Sequence, residues 1–150
     1  MKKLRYTETI SAPVHTVWET MIGEQTYPQW TNEFGGTSYF TGSWDLGSQI
    51  RFIGEDEDGN AGGLFGYITA NRPDEYIEIE YLGQILDGED DTESEFARSF
   101  AGVHESYTFS EEGGSTTLIV ELESPDEFAE MFDEQWPAAL AKLKKIAELG

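Results

Sequence analysis

Two carboxylates stand out because of the residues around them. Leu4, Tyr6, Glu8 and Ile10 alternate with Lys3, Arg5, Thr7 and Thr9, and Val103, Glu105, Tyr107 and Phe109 form a second series of the same kind. Side chains two apart share one face of a strand, so each glutamate is placed among apolar neighbours. Desolvation there raises a carboxyl pKa and suits it to proton transfer or to a polar group of a ligand, the acid form donating to a ligand carbonyl or a tyrosine hydroxyl. A strand end open to water, or a partner such as Arg51 or Arg98, would give the same residues a structural role instead. Trp30, Tyr39, Phe52, Tyr67, Tyr81 and Tyr107 add aromatic walls with hydroxyls. They suit a flat apolar ligand if they enclose a space, and a plain core if they do not. Phe132 and Trp136, near the C-terminus, are candidates for the same wall.

Other chemistry finds less support. His15, one of two histidines, lies in Ser11-Ala12-Pro13-Val14-His15-Thr16-Val17-Trp18-Glu19-Thr20-Met21, at the flank of an apolar helical stripe and four residues before Glu19. His104 alternates away from Val103 and Glu105, so both histidines are expected at the surface. Asp56, Asp58 and Asn60 imitate the start of a calcium loop, but Ala61 stands where its glycine belongs and Tyr67 where its glutamate belongs, so a solvated hairpin turn is expected. Asp87, Glu89, Asp90, Asp91, Glu93 and Glu95 form the densest acidic run, followed by Phe96 and Phe100. Thr92 with Glu95 reads as a capping box for a short helix, either a lid or a loop docked by its phenylalanines. There is no cysteine, hence no disulfide, thiol nucleophile or cysteine-based zinc site. A phosphate-binding glycine loop, HExxH and a nucleophile elbow are also lacking. No catalytic residue, metal ligand or cofactor is assigned, and the chain reads as a binder rather than an enzyme.

Thirty Asp plus Glu against nine Lys plus Arg give a net charge of -21 in 150 residues. Such a chain repels phosphate backbones and anionic lipid, which excludes nucleic acid as a partner. With 38% hydrophobic and 13% aromatic residues it nonetheless has the material for a core, and its length suits a single domain over residues 1–150. No apolar run approaches a membrane span, and the N-terminus lacks the apolar stretch of a secretory signal, so no membrane insertion and a cytoplasmic location are expected.

The elements that would hold these groups follow from periodicity. A strand runs to Pro13. Val14, Val17, Trp18 and Met21 then lie on one helical stripe, and a second short helical segment carries Tyr27, Trp30 and Phe34 before Gly35-Gly36. Strands are expected over residues 37–42, 48–55, 62–71, 75–83, 102–111 and 115–123, joined by short turns and therefore antiparallel. Phe128, Phe132, Trp136, Ala139, Leu140, Leu143, Ile146 and Ala147 then occupy one broad helical face, with Pro137 implying a kink or a start near Glu134. The expected architecture is α+β: about seven antiparallel strands, curved around a long C-terminal helix, with two short helices after the first strand.

Thr9-Ile10-Ser11-Ala12-Pro13 followed by Val17-Trp18 resembles the opening of the START-like superfamily, also called SRPBCC or helix-grip. Trp30, Gly66-Tyr67-Ile68, Arg72-Pro73-Asp74-Glu75-Tyr76, Gly114-Ser115-Thr116-Thr117-Leu118 and Trp136-Pro137-Ala138-Ala139-Leu140-Ala141-Lys142-Leu143 look like the branch related to the C-terminal domain of the activator of Hsp90 ATPase. The segment from Gln84 to Ala101 is longer than in the shortest members. The resemblance implies a helix-grip fold and a small hydrophobic ligand, of lipid, polyketide or aromatic kind, held between sheet and C-terminal helix. The alternatives it implies are a cyclase/aromatase enzyme using that cavity and an Hsp90-type co-chaperone, as monomer or dimer.

Overall fold

The structure is a computed structural model and describes residues 1–34 and 37–149. Strand β1 (Lys2–Ile10) leads through Pro13 into helix α1 (Val14–Ile22), then α2 (Tyr27–Thr31) and a 3-10 turn at Asn32–Phe34. The expected stop at Gly35-Gly36 lies outside the described residues. Strands β2 (Thr37–Gly42), β3 (Gln49–Glu55), β4 (Ala61–Arg72), β5 (Tyr76–Leu86) and β6 (Glu89–Asp91) precede helix α3 (Glu95–Phe100). Strands β7 (His104–Glu112) and β8 (Ser115–Ser124) and the long helix α4 (Asp126–Leu149) complete the order.

The sheet is antiparallel throughout, in the order β1-β8-β7-β5-β4-β3-β2, with β6 a short addition on β5. It curls into a half-barrel, and α4 lies in its concave side, as the α+β helix-grip expectation required. Leu118, Val120, Ile77, Ile79, Ile50 and Ile68 are buried from the sheet, and Ala139, Leu140 and Leu143 from α4. Helices α1 and α2 close one end, fastened where the Trp30 indole N–H donates to the Met21 carbonyl at 3.1 Å.

Three departures from the periodicity reading have local causes. Helix α4 runs unbroken from Asp126 through Pro137, so the later start near Glu134 is excluded. The buried face of Ala129, Trp136, Ala139 and Leu140 holds the turn that proline would weaken. The acidic run contributes a strand, because Asp87 and Gly88 both take positive φ (51° and 82°) and form a two-residue hairpin turn. Helix α3 is capped by Ser94, whose hydroxyl accepts from the Ala97 N–H at 3.1 Å, rather than by Thr92.

The β4–β5 ladder carries the irregularities that shape the interior. Gly66 pairs with Tyr81 and Phe65 with Gly83, leaving Leu82 without a partner; Thr69 is skipped in the same way on β4. Each bulge bends its strand and inverts the inward–outward phase beyond it. Gly63 and Gly66 let the strands approach: a Cβ at Gly63 (φ 145°) would lie 1.9 Å from the Phe52 carbonyl oxygen, and one at Gly66 2.1 Å from that of Glu80.

Candidate functional site

Between the curled sheet and α4 the side chains leave a cavity of about 640 Å³. Its inner part is aromatic: Tyr27 and Trp30 from α2, Phe52 from β3, Tyr81 from β5, Tyr107 from β7 and Trp136 from α4. The rings hold one another, with centroids 6.0 Å apart for Trp30–Trp136 and Tyr27–Phe52, and 6.1 Å for Tyr107–Trp136. Phe34, Leu64, Leu86 and Phe132 stand further out. The rim is formed by residues that include Ser38, Asn60, Glu55, Asp56 and Asp87. Asp56 accepts from the Asp58 and Asn60 N–H groups at 2.9 Å, and these bonds hold its pKa below the usual carboxylate range.

Glu105 is the ionisable group of the inner wall. It sits on β7 between Ile79 of β5 and Leu122 of β8, and is 7% exposed. The Tyr107 hydroxyl donates to its carboxylate, and the Tyr81 hydroxyl is a second donor to it. Among the described residues no Lys, Arg or His nitrogen pairs with it. Burial raises its pKa from 4.5 to about 7, a rise that the two hydroxyls restrain. The same burial, and the negative charge beside them, push the Tyr81 and Tyr107 phenols well above their ordinary value. The carboxyl therefore changes protonation near neutrality while its phenol neighbours stay protonated.

A family model described as Activator of Hsp90 ATPase homolog 1-like protein matches residues 11–148. The chain belongs to that family. Solved structures with the AHSA1-like fold are similar over nearly the whole chain at low identity. Protein NE0264 from Nitrosomonas europaea is 12% identical, with a TM-score of 0.74 over 98% of this chain and 94% of its own. The Aha1 dimer from Colwellia psychrerythraea is 16% identical, with a TM-score of 0.71 over 100% and 98%. The di-domain ARO/CYC StfQ of the steffimycin biosynthetic pathway is 19% identical, with a TM-score of 0.68 over 97% of this chain and 44% of its own. No curated protein sequence matches the chain.

Within this AHSA1-like domain, Trp30, Phe52, Tyr81, Glu105, Tyr107, Phe132 and Trp136 meet around one space, and three sequence candidates do not. Glu8 faces inward from β1, but near the edge of the sheet, where Lys144 on α4 comes within 3.7 Å of its carboxylate. Tyr39 packs with Ile53, Phe65 and Ile85 on the opposite face of the sheet. Tyr67 points outward too, its hydroxyl donating to Glu80 at 3.0 Å, because Ile68 beside it takes the inward position.

Tyr27, Phe34, Leu64 and Leu86 line the cavity without having been singled out for it. Tyr27 and Phe34 share a helical spacing with Trp30, a signal that could have extended the assignment from one residue to three. Leu86 is reached only through the bulge at Leu82. Arg51 pairs with Asp90 of β6 rather than with Glu8 or Glu105. Helix α3 is docked by Phe100, buried, and by Phe96, whose ring lies 5.2 Å from Phe128 at the start of α4. His15 lies in solvent between Asp74 and Glu19, and the Asp74 hydrogen bond raises its pKa. His104 is half-exposed with its Nε2 3.1 Å from Glu80. Among the described residues no group of three or more His, Asp or Glu is arranged to hold a metal, and no helix is long and apolar enough to cross a membrane.

Proposed function

We propose that this AHSA1-like chain binds a small, mainly apolar molecule in the cavity between sheet and α4, with the polar group of that molecule set against Glu105. The observation that carries the reading is a hollow of about 640 Å³ walled by aromatic rings and holding one buried carboxyl. That volume lies within the roughly 300–1,000 Å³ of small-molecule sites, and a few polar groups among aromatic walls are their usual composition. Similarity in fold to the di-domain ARO/CYC StfQ of the steffimycin biosynthetic pathway supports the reading. Native mass spectrometry of gently purified protein tests it, together with titration by the neutral dye Nile red. Co-purifying small molecule, or dye fluorescence that saturates at one site and is reduced by Trp136→Ala, is the expected result. A chain that carries no molecule and leaves the dye dark would overturn it.

A catalytic variant of this reading is favoured by the placement of Glu105, a buried carboxyl on the cavity wall with the Tyr107 and Tyr81 phenols against it. Burial raises its pKa toward neutrality, so it can take a proton from a bound molecule and return it, as enolisation and cyclisation of a polyketide require. The Tyr81 and Tyr107 hydroxyls would then stabilise an enolate oxygen. Turnover of a polyketide-like substrate that Glu105→Gln abolishes while leaving binding intact would establish it.

A further inference from the structure

Resting on the cavity-binding reading, the surroundings of Glu105 also narrow the chemistry of the molecule bound there. The groups that hydrogen-bond this carboxylate are donor hydroxyls, Tyr107 on its own strand and Tyr81 on β5, while Tyr27 on α2 feels its charge and hydrogen-bonds Ser38. Around the inner space the other elements contribute uncharged groups, Phe52 from β3, Leu64 from β4, and Phe132 and Trp136 from α4, and the other charged residues of the lining, Glu55, Asp56 and Asp87, are all acidic. The carboxylate thus accepts from the protein and receives no counter-charge from it, while no Lys, Arg or His lines the cavity at all among the described residues.

Three further features share one sign. Aromatic faces carry negative quadrupole density and attract a cation lying against them, the more so away from water. The residues at the rim include Glu55, Asp56 and Asp87 and no basic one, the Asp56 carboxylate being held by its own turn. A net charge of -21 enriches cations near the whole molecule and repels anions. A ligand carboxylate or sulfonate would pass the acidic rim only to meet an unpaired glutamate. A neutral carbonyl would need Glu105 as an acid, the form that burial favours, that its two donor neighbours oppose, and that is lost above a pH of about 7. We propose that the molecule held in the cavity is an organic cation, an apolar or aromatic body bearing an ammonium group, with Glu105 as its counter-ion and the tryptophan and tyrosine rings as its walls.

Calorimetric titration of the whole chain with three molecules of one shape tests this: 1-naphthylmethylamine, 1-naphthalenemethanol and 1-naphthoic acid. Above the Glu105 pKa of about 7, the amine is expected to bind about tenfold or more tightly than the alcohol, and the acid not measurably. As pH falls through that pKa the amine loses its advantage, because protonated Glu105 no longer offers a charge. In Glu105→Gln most of the amine's advantage should be lost, leaving only the smaller part that the rings and the net charge supply, and the retained alcohol shows that the cavity is still formed. Equal affinities in the natural chain, or an amine preference that survives undiminished in Glu105→Gln, would overturn the cation assignment and leave the cavity reading standing. Binding of none of the three would overturn both.

Discussion

Replacing Glu105 by glutamine should stabilise the protein at alkaline pH and change it little in acid. The carboxyl titrates at about 7 when folded and at 4.5 when free. Between those values the folded chain holds a proton that the unfolded chain has released, so stability falls as pH rises through the interval. At about 1.4 kcal/mol per pH unit the whole loss is about 3 kcal/mol, complete above pH 7 and absent below 4.5. Glutamine keeps the shape and an acceptor oxygen for Tyr107 but carries no charge, so it escapes this loss. The hydrogen bonds from Tyr107 and Tyr81 are already contained in that pKa, so the net expectation is a variant about 3 kcal/mol more stable than the natural chain above neutrality, with the advantage shrinking to nothing in acid.

Urea unfolding of both chains across that pH range measures this directly, and the difference between them cancels most of the remaining carboxylates. NMR titration of the Glu105 side-chain carboxyl supplies the pKa independently. A flat difference between the two chains, or a midpoint near 4.5, would mean that Glu105 is hydrated or paired with a cation, and the inner-wall reasoning would be refuted. Glu105→Leu separates packing from charge: it should also remove the pH dependence while abolishing the preference among polar ligands.

The fold makes its own predictions. Gly63→Ala should destabilise by about 2 kcal/mol or more, because the new Cβ would fall 1.9 Å from the Phe52 carbonyl oxygen at a φ of 145°; a thermal melt unchanged within error would refute the close approach. Asp91 accepts from the Glu93 and Ser94 N–H groups at 3.0 Å and from Gln84 at 2.7 Å, bonds that depress its pKa. Its contribution is present above the ordinary carboxylate range and lost as pH falls, so Asp91→Ala should speed amide exchange over α3 at neutral pH and make no difference in strong acid. If family membership extends to docking on a basic face of an Hsp90-type protein, capture by that partner should weaken steeply with salt, and no capture at low salt would remove that reading.

How much of this was legible in the sequence depends on whether alternation survived. Strands β7 and β8 are regular, so Val103, Glu105, Tyr107 and Phe109 could be phased from spacing alone, and the inward glutamate followed. The long apolar face of α4 likewise announced Phe132 and Trp136 despite Pro137. Tyr67 faces outward, against expectation, because an aromatic residue in a strand carries no face of its own and its neighbour Ile68 holds the inward position. Tyr39 likewise faces outward on β2, where few flanking residues fix a phase. Glu8 did face inward, but alternation says nothing about distance along the sheet, and at that edge it met Lys144.

The bulge at Leu82 links the missed residues to the site. Without it, Ile77, Ile79, Tyr81, Gly83 and Ile85 would all face α4, and Ile85 would occupy the far end of the cavity. With it, Ile85 turns to the outer cluster with Phe65 and Tyr39, and Leu86 reaches the cavity beside Asp87. The hairpin turn at Asp87-Gly88 then folds the acidic run back onto β5, so that Asp87 stands at the rim and the rings stand within. A single unpaired residue therefore separates an apolar interior from an acidic opening. Period-two counting cannot see such a residue, since it is defined by a partner strand and not by its own sequence. The site was thus readable where it rests on regular strands, and hidden where the sheet departs from regularity to make room for it.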